Sequence, residues 1–122
     1  MKQWRSRVRE KKHGADEILR EILRDGNRIY IGSGCGEPQH LVRSLTGLLP
    51  RHRDIEIVQN LSFGSLPEDW KRFEQNARLK TFFVGPRSRN AVNDGLADYI
   101  PIYFSSIPGL FREEPLWKLD IA

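Results

Sequence analysis

The stretch from Arg28 to Pro38 constrains this chain most. Arg28-Ile29-Tyr30-Ile31 reads as a short strand and runs directly into Gly32-Ser33-Gly34-Cys35-Gly36-Glu37. Pro38 follows where helices accept proline at their first position. Leu41, Val42, Leu45, Leu48 and Leu49 then give the next helix an apolar face. A strand, a glycine loop and a helix in that order is the unit from which open α/β sheets are built.

The flanking segments continue the alternation. Ala15, Ile18, Leu19, Ile22 and Leu23 recur at helical spacing. Asp16 and Glu17 sit in the first turn, where the helix dipole favours negative charge, and Gly26 reads as the left-handed C′ residue. Residues 54–61, with Ile55, Ile57 and Val58, read as a buried strand, and Pro67-Glu68-Asp69-Trp70 as a helix start. Residues 79–84 read as an apolar strand closed by Gly85-Pro86, and 88–96 as a short helix. In 99–104, Pro101 restricts the piece to an edge strand or a loop. Residues 117–122 have the pattern of a strand just beginning. The expected architecture is α/β: an open, mainly parallel sheet with helices on both faces and right-handed crossovers, apparently truncated.

With 122 residues, 39% hydrophobic and 30% charged, the chain suits one soluble domain with a real core. No apolar run reaches the length of a membrane span, and no signal-peptide pattern opens the chain, so a cytoplasmic location is expected. Cys35 is the only cysteine, which excludes an intrachain disulfide and a Cys-rich zinc site. The formal charge of +4 is unevenly placed. In residues 1–13, Lys2, Arg5, Arg7, Arg9, Lys11 and Lys12 stand against Glu10 alone, whereas residues 14–122 carry one more acidic than basic side chain. The chain therefore divides into a basic arm, 1–13, and an α/β domain, 14–122. Terminal charge runs are usually solvated, so nucleic acid is not the expected partner.

Two loops are candidates for chemistry. In Gly32–Pro38 glycines permit close backbone approach, and amides at a helix start favour an anion. Glu37-Pro38 is not the Lys-Ser/Thr pair of a P-loop, and Glu37 stands where a dinucleotide fingerprint needs glycine. A tight turn and a ligand-contacting loop both fit; the position beyond a strand's carboxyl end favours contact. Cys35 reads as a packing residue, since nucleophilic cysteine wants a paired base. His13, His40 and His52 have no metal-ligand spacing. In the second loop, Val84–Asn90, Arg87 and Arg89 are placed to grip a phosphate or carboxylate, against the simpler reading of solvated arginines. Trp4, Trp70 and Trp117 are expected to pack.

In order and spacing, these segments resemble the N-terminal part of the acetyl-CoA hydrolase/transferase family. The resemblance runs from Ala15–Gly26 into Asn27–Pro38, through Ile55-Glu56-Ile57-Val58 and Phe82-Phe83-Val84-Gly85, to Ser105–Phe111. Its most specific piece is Asn93-Asp94-Gly95-Leu96-Ala97-Asp98-Tyr99-Ile100-Pro101-Ile102, close to the family's Gly-Arg-Ala-Asp-Tyr-x-Pro stretch, with Leu96 where arginine is usual.

The resemblance implies a CoA-transferase-like domain paired with a second, related one across the active site. It implies that coenzyme A is a substrate, that no other cofactor or metal is used, and that acyl-CoA and a short carboxylate are the ligands. It implies a glutamate nucleophile in the second domain, beyond residue 122, so that no residue of this chain is catalytic. Glycine-loop amides would stabilise oxyanions. The expected substrate-side residues are Gly34, Gly36, Glu37 and Pro38, with Arg87 and Arg89 in the second loop. A missing C-terminal half or a partner chain is expected, and a homo-oligomer is possible because a sheet ending at Ile121-Ala122 leaves an open edge. The rival classes are a stand-alone anion- or CoA-binding module and an assembly subunit without catalysis.

Overall fold

The computed structural model describes residues 3–122. Four parallel strands, β1 (Arg28–Ile31), β2 (Ile55–Gln59), β3 (Ala77–Thr81) and β4 (Ala97–Tyr99), lie in the order β1-β2-β3-β4. Ile29 pairs with Ile57, Ile57 with Leu79, and Leu79 with Ala97. Beyond β1, Ile121 forms a parallel bridge to Ile29, and the Tyr30 amide donates to the Ile121 carbonyl at 2.9 Å. The strand expected from residue 117 is therefore a single bridge, with Pro115–Trp117 in a 3-10 turn before it.

Among the described residues, five helices accompany the sheet: α1 (Gln3–Glu10), α2 (Ala15–Ile22), α3 (Gln39–Leu48), α4 (Arg89–Asn93) and α5 (Ile107–Glu113). The basic arm thus carries a helix, α1; its Lys2 lies outside the described residues. Leu19 and Leu23 from α2 and its cap, with Val42, Leu45 and Leu48 of α3, cover Ile29, Ile31, Ile55, Ile57 and Leu79 on one face. Each such fully buried aliphatic side chain contributes about 2 kcal/mol. On the other face, Ile107, Leu110 and Phe111 of α5 pack with Tyr30, Val58, Phe82 and Trp117. Helices on both faces of a parallel sheet are therefore present.

Several boundaries differ from the sequence reading. Gly26 is left-handed, with φ 79°, but α2 has already ended in an extended Leu23, so Gly26 belongs to a turn whose amide reaches Arg53 O. Pro38 caps α3, which begins at Gln39. The expected helix after Pro67 is a 3-10 turn over Trp70–Phe73. Three-residue periodicity aligns Trp70 and Phe73, and both are buried. β3 starts at Ala77 and ends at Thr81, earlier than its apolar run, because Arg78 and Lys80 point to the second face. Trp70 packs as expected and Trp117 is half-buried, but Trp4 is 57% exposed.

The amino-terminal half of the second face is charged. Arg28 Nε donates to Glu56, whose other oxygen lies 2.7 Å from Lys80 Nζ. Arg78 makes a bidentate pair with Asp98 at 2.5 and 2.7 Å. The Trp117 ring lies beside Arg28 and Lys80, 5.4 and 5.1 Å from its centroid. Burial raises the Glu56 carboxyl, but the hydrogen bonds and charges of Lys80 and Arg28 outweigh it and hold the group below its ordinary value. Such alternation is uncommon in a parallel strand, where both faces are usually apolar.

Candidate functional site

The loops after β1, β2 and β3 meet at the carboxyl ends of the strands, where open α/β sheets bind ligands. They are fastened to one another. Ser33 Oγ accepts the amides of Asn60 and Leu61, both at 3.2 Å, and the Gly34 amide donates to Leu61 O at 3.2 Å. A Cβ on Gly32 would stand 2.7 Å from the Gly36 carbonyl oxygen, a backbone atom, so the 3-10 turn over Gly34–Gly36 closes only on glycine there.

Glu37 is the centre of this arrangement. It is 8% exposed, and its carboxylate points into the loop after β2. It accepts the Ser62 hydroxyl at 2.8 Å, the Phe63 amide at 2.7 Å, the Ser65 amide at 3.2 Å and the Ser65 hydroxyl. Burial alone raises its pKa; the four donors together reverse that and leave it below the ordinary glutamate value. The group is an ionised acceptor, with three of its hydrogen bonds on Oε1 and the Phe63 amide on Oε2, and it fixes residues 62–65 against the glycine loop.

The other predicted residues fall around it. Gly34 has φ 61° and lies against Phe63; Gly36 and Pro38 are exposed or open to solvent. The amides of Gly34, Gly36 and Glu37 already donate to Leu61, Ser33 and Gly34 carbonyls. These three amides are thus occupied within the protein, and the expected oxyanion donors are not supplied by them. Arg87 is ion-paired with Glu68, and its guanidinium lies 3.2 Å from where a Cβ on Gly64 would be. Arg89 is exposed at the start of α4, and the structure does not couple it to Arg87. Cys35 is exposed.

Sequence reasoning missed Phe63 and Gln59. Phe63 is 64% exposed at this edge although its backbone is fixed. Gln59, 2% exposed at the carboxyl end of β2, has an amide oxygen without a partner. A cleft of about 300 Å³ lined by Asp54, Glu74, Asn76, Arg78 and Leu96 opens at the opposite, amino edge of the sheet. Among the described residues no group of three or more His, Cys, Asp or Glu is placed to hold a metal ion, and no helix is long and apolar enough to cross a membrane.

The whole chain, residues 1–122, matches the acetyl-CoA hydrolase/transferase N-terminal domain. The chain belongs to that family. It is 31% identical over 120 residues to the 4-hydroxybutyrate coenzyme A transferase of Clostridium kluyveri, covering 98% of this chain and 28% of that protein. It is 32% identical over 103 residues to the succinyl-CoA:acetate/propanoyl-CoA:succinate CoA transferase of Fasciola hepatica, covering 83% and 21%. The domain thus spans about a quarter of the length of these relatives. RipA from Yersinia pestis shares the fold, with a TM-score of 0.70 at 18% identity over 84% of this chain and 26% of RipA. A RipA mutant gives 0.75 at 21%, over 90% and 27%. In this family member, Leu96 is half-buried against the main core, so the position read as arginine elsewhere carries a packing side chain.

Proposed function

We propose that this acetyl-CoA hydrolase/transferase N-terminal domain is the substrate-facing wall of a cytoplasmic enzyme that moves CoA between a short acyl-CoA and a carboxylate such as acetate. The nucleophile is a glutamate of a second domain, outside residues 1–122. Its carboxylate attacks the thioester carbonyl, giving an acyl-glutamyl anhydride and CoA thiolate. The thiolate then attacks the glutamyl carbonyl, releasing the first carboxylate and leaving a glutamyl-CoA thioester. A second carboxylate reverses the sequence as acceptor; water in its place gives hydrolysis. The observation that carries this reading is Glu37. It is the glutamate of the glycine loop after β1, and its oxygens accept from Ser62, Phe63 and Ser65. A carboxylate held below its ordinary pKa by four donors is a poor nucleophile. This domain alone is therefore inactive, and its surface positions a substrate without reacting with it.

The test is a fusion in which this chain replaces the matching N-terminal segment of the Clostridium kluyveri enzyme. The fusion is expected to transfer CoA from butyryl-CoA to acetate, while the 122-residue chain does not. A folded fusion without transfer contradicts the reading.

A further inference from the structure

We propose that the groove between α2 and α3, formed by the two helices and not by the loops after the strands, binds a small molecule through a diphosphate group. His40, Arg43, Ser44 and Gly47 of α3 and Arg51 of the 3-10 turn that continues it recur at i, i+3, i+4, i+7 and i+11. That spacing puts them on one side of the helix. Arg20, from the last turn of α2, lines the same groove, whose volume is about 360 Å³. A cavity of that size is in the range of small-molecule sites. Among the described residues lining it, three guanidiniums stand against one carboxylate, Asp16.

Two features separate this groove from a scatter of solvated charges. Arg43 is held in place, its Nε donating to Gln39 O at 3.2 Å and its Nη2 to Gln39 Oε1 at 3.3 Å. The partner is neutral, so the whole charge of the guanidinium remains in the groove. Gly47 is the second feature. Its φ is not left-handed, and a Cβ there would meet nothing within 4 Å, so neither backbone nor packing requires glycine. Glycine weakens a helix relative to alanine, yet here it leaves bare backbone between Arg43 and Arg51. Those two arginines are separated by roughly 12 Å along the helix axis. That is too wide for one phosphate to engage both squarely and suits two linked phosphates. Each guanidinium can grip phosphate oxygens bidentately, and the half-buried Ser44 hydroxyl adds a neutral donor. A polyanion also relieves the mutual repulsion of three like charges around one groove.

The experiment is amide NMR of the uniformly ¹⁵N-labelled 122-residue chain, titrated with inorganic pyrophosphate, sulfate and poly-glutamate at physiological ionic strength. Pyrophosphate is expected to shift the amides of Arg20, Arg43, Ser44 and Gly47 saturably, and to bind about tenfold more tightly than sulfate. Arg43→Gln and Gly47→Glu both alter exposed positions, so the spectrum's dispersion is expected to survive. Each is expected to weaken pyrophosphate binding about tenfold, whereas Arg7→Gln in α1 leaves it unchanged. Equal binding of sulfate, shifts confined to residues 1–13, or unchanged binding by both groove variants means an adventitious ion only and overturns the proposal. Poly-glutamate binding as tightly at the same amides overturns the small-molecule ligand in favour of an acidic protein segment. Binding by the 122-residue chain that is absent from the folded Clostridium kluyveri fusion, read by calorimetry, also overturns it, since the groove then seats the rest of the protein. None of these outcomes bears on CoA transfer, which the fusion's own assay decides.

Discussion

Glu37→Ala is expected to lower the unfolding free energy by about 3 kcal/mol, roughly 10 °C in Tm, as read by chemical and thermal denaturation. The substitution removes one acceptor group but strands the amides of Phe63 and Ser65 and the hydroxyls of Ser62 and Ser65 beside it. Leaving buried donors unpaired costs more than any one hydrogen bond contributes. Glu37→Gln keeps one acceptor oxygen and the shape, so about half that loss is expected. The two variants also separate by pH. The unfolded glutamate titrates near its ordinary value of 4.5, and the folded one lower. Above 4.5 the carboxylate contributes its full stabilisation; as pH falls through the folded value the contribution disappears. Wild type should therefore approach Glu37→Gln in stability on acidification. Glu56 and Asp98 are depressed in the same direction in both proteins, so the difference between the two curves isolates Glu37. A constant gap down to strongly acidic pH contradicts the assignment.

Glu56→Ala should cost about 2 kcal/mol. Arg28 and Lys80 flank Glu56 on the sheet's second face, both half-buried beside Trp117. Removing the carboxylate leaves two cations facing one another without an anion, and partial solvent access reduces the penalty below that of a fully buried broken pair. Replacing all three groups with apolar ones, as Arg28→Met, Glu56→Leu and Lys80→Met together, should return stability to within about 1 kcal/mol of wild type, since neither charge nor its partner then remains. The denaturation midpoints decide it. A triple variant as unstable as Glu56→Ala would mean that the network does more than neutralise itself.

The parts of the fold that follow from local pattern were legible in the sequence. β1 and its glycine loop, the apolar stripe of α3 and the buried β2 could all be read from spacing, because hydrophobic period and turn chemistry agree there. Arg78 and Lys80 obscured the start of β3. Their charges are tolerable in a parallel strand only because Asp98 and Glu56 lie across the sheet, a register that no local pattern reveals. Ile22 and Leu41 continue apolar stripes yet are exposed, since only the centre of each stripe reaches the sheet. The site was legible as a place but not as an arrangement. Position in the loop singled out Glu37, whereas its job depends on Ser62, Phe63 and Ser65, some 25 to 28 residues away. Phe63 gave no signal, as a lone aromatic among polar residues reads like any other until the backbone beneath it is seen to be pinned.

The central claim is that this domain offers a wall and not a nucleophile. Intact-mass spectrometry of the purified chain after incubation with butyryl-CoA tests it most directly, with borohydride added to a parallel sample to trap any glutamyl thioester by reduction. The account predicts an unchanged mass in both samples. A mass gain corresponding to bound CoA, or a reduced carboxyl located at Glu37, would contradict it and make this chain the bearer of its own nucleophile.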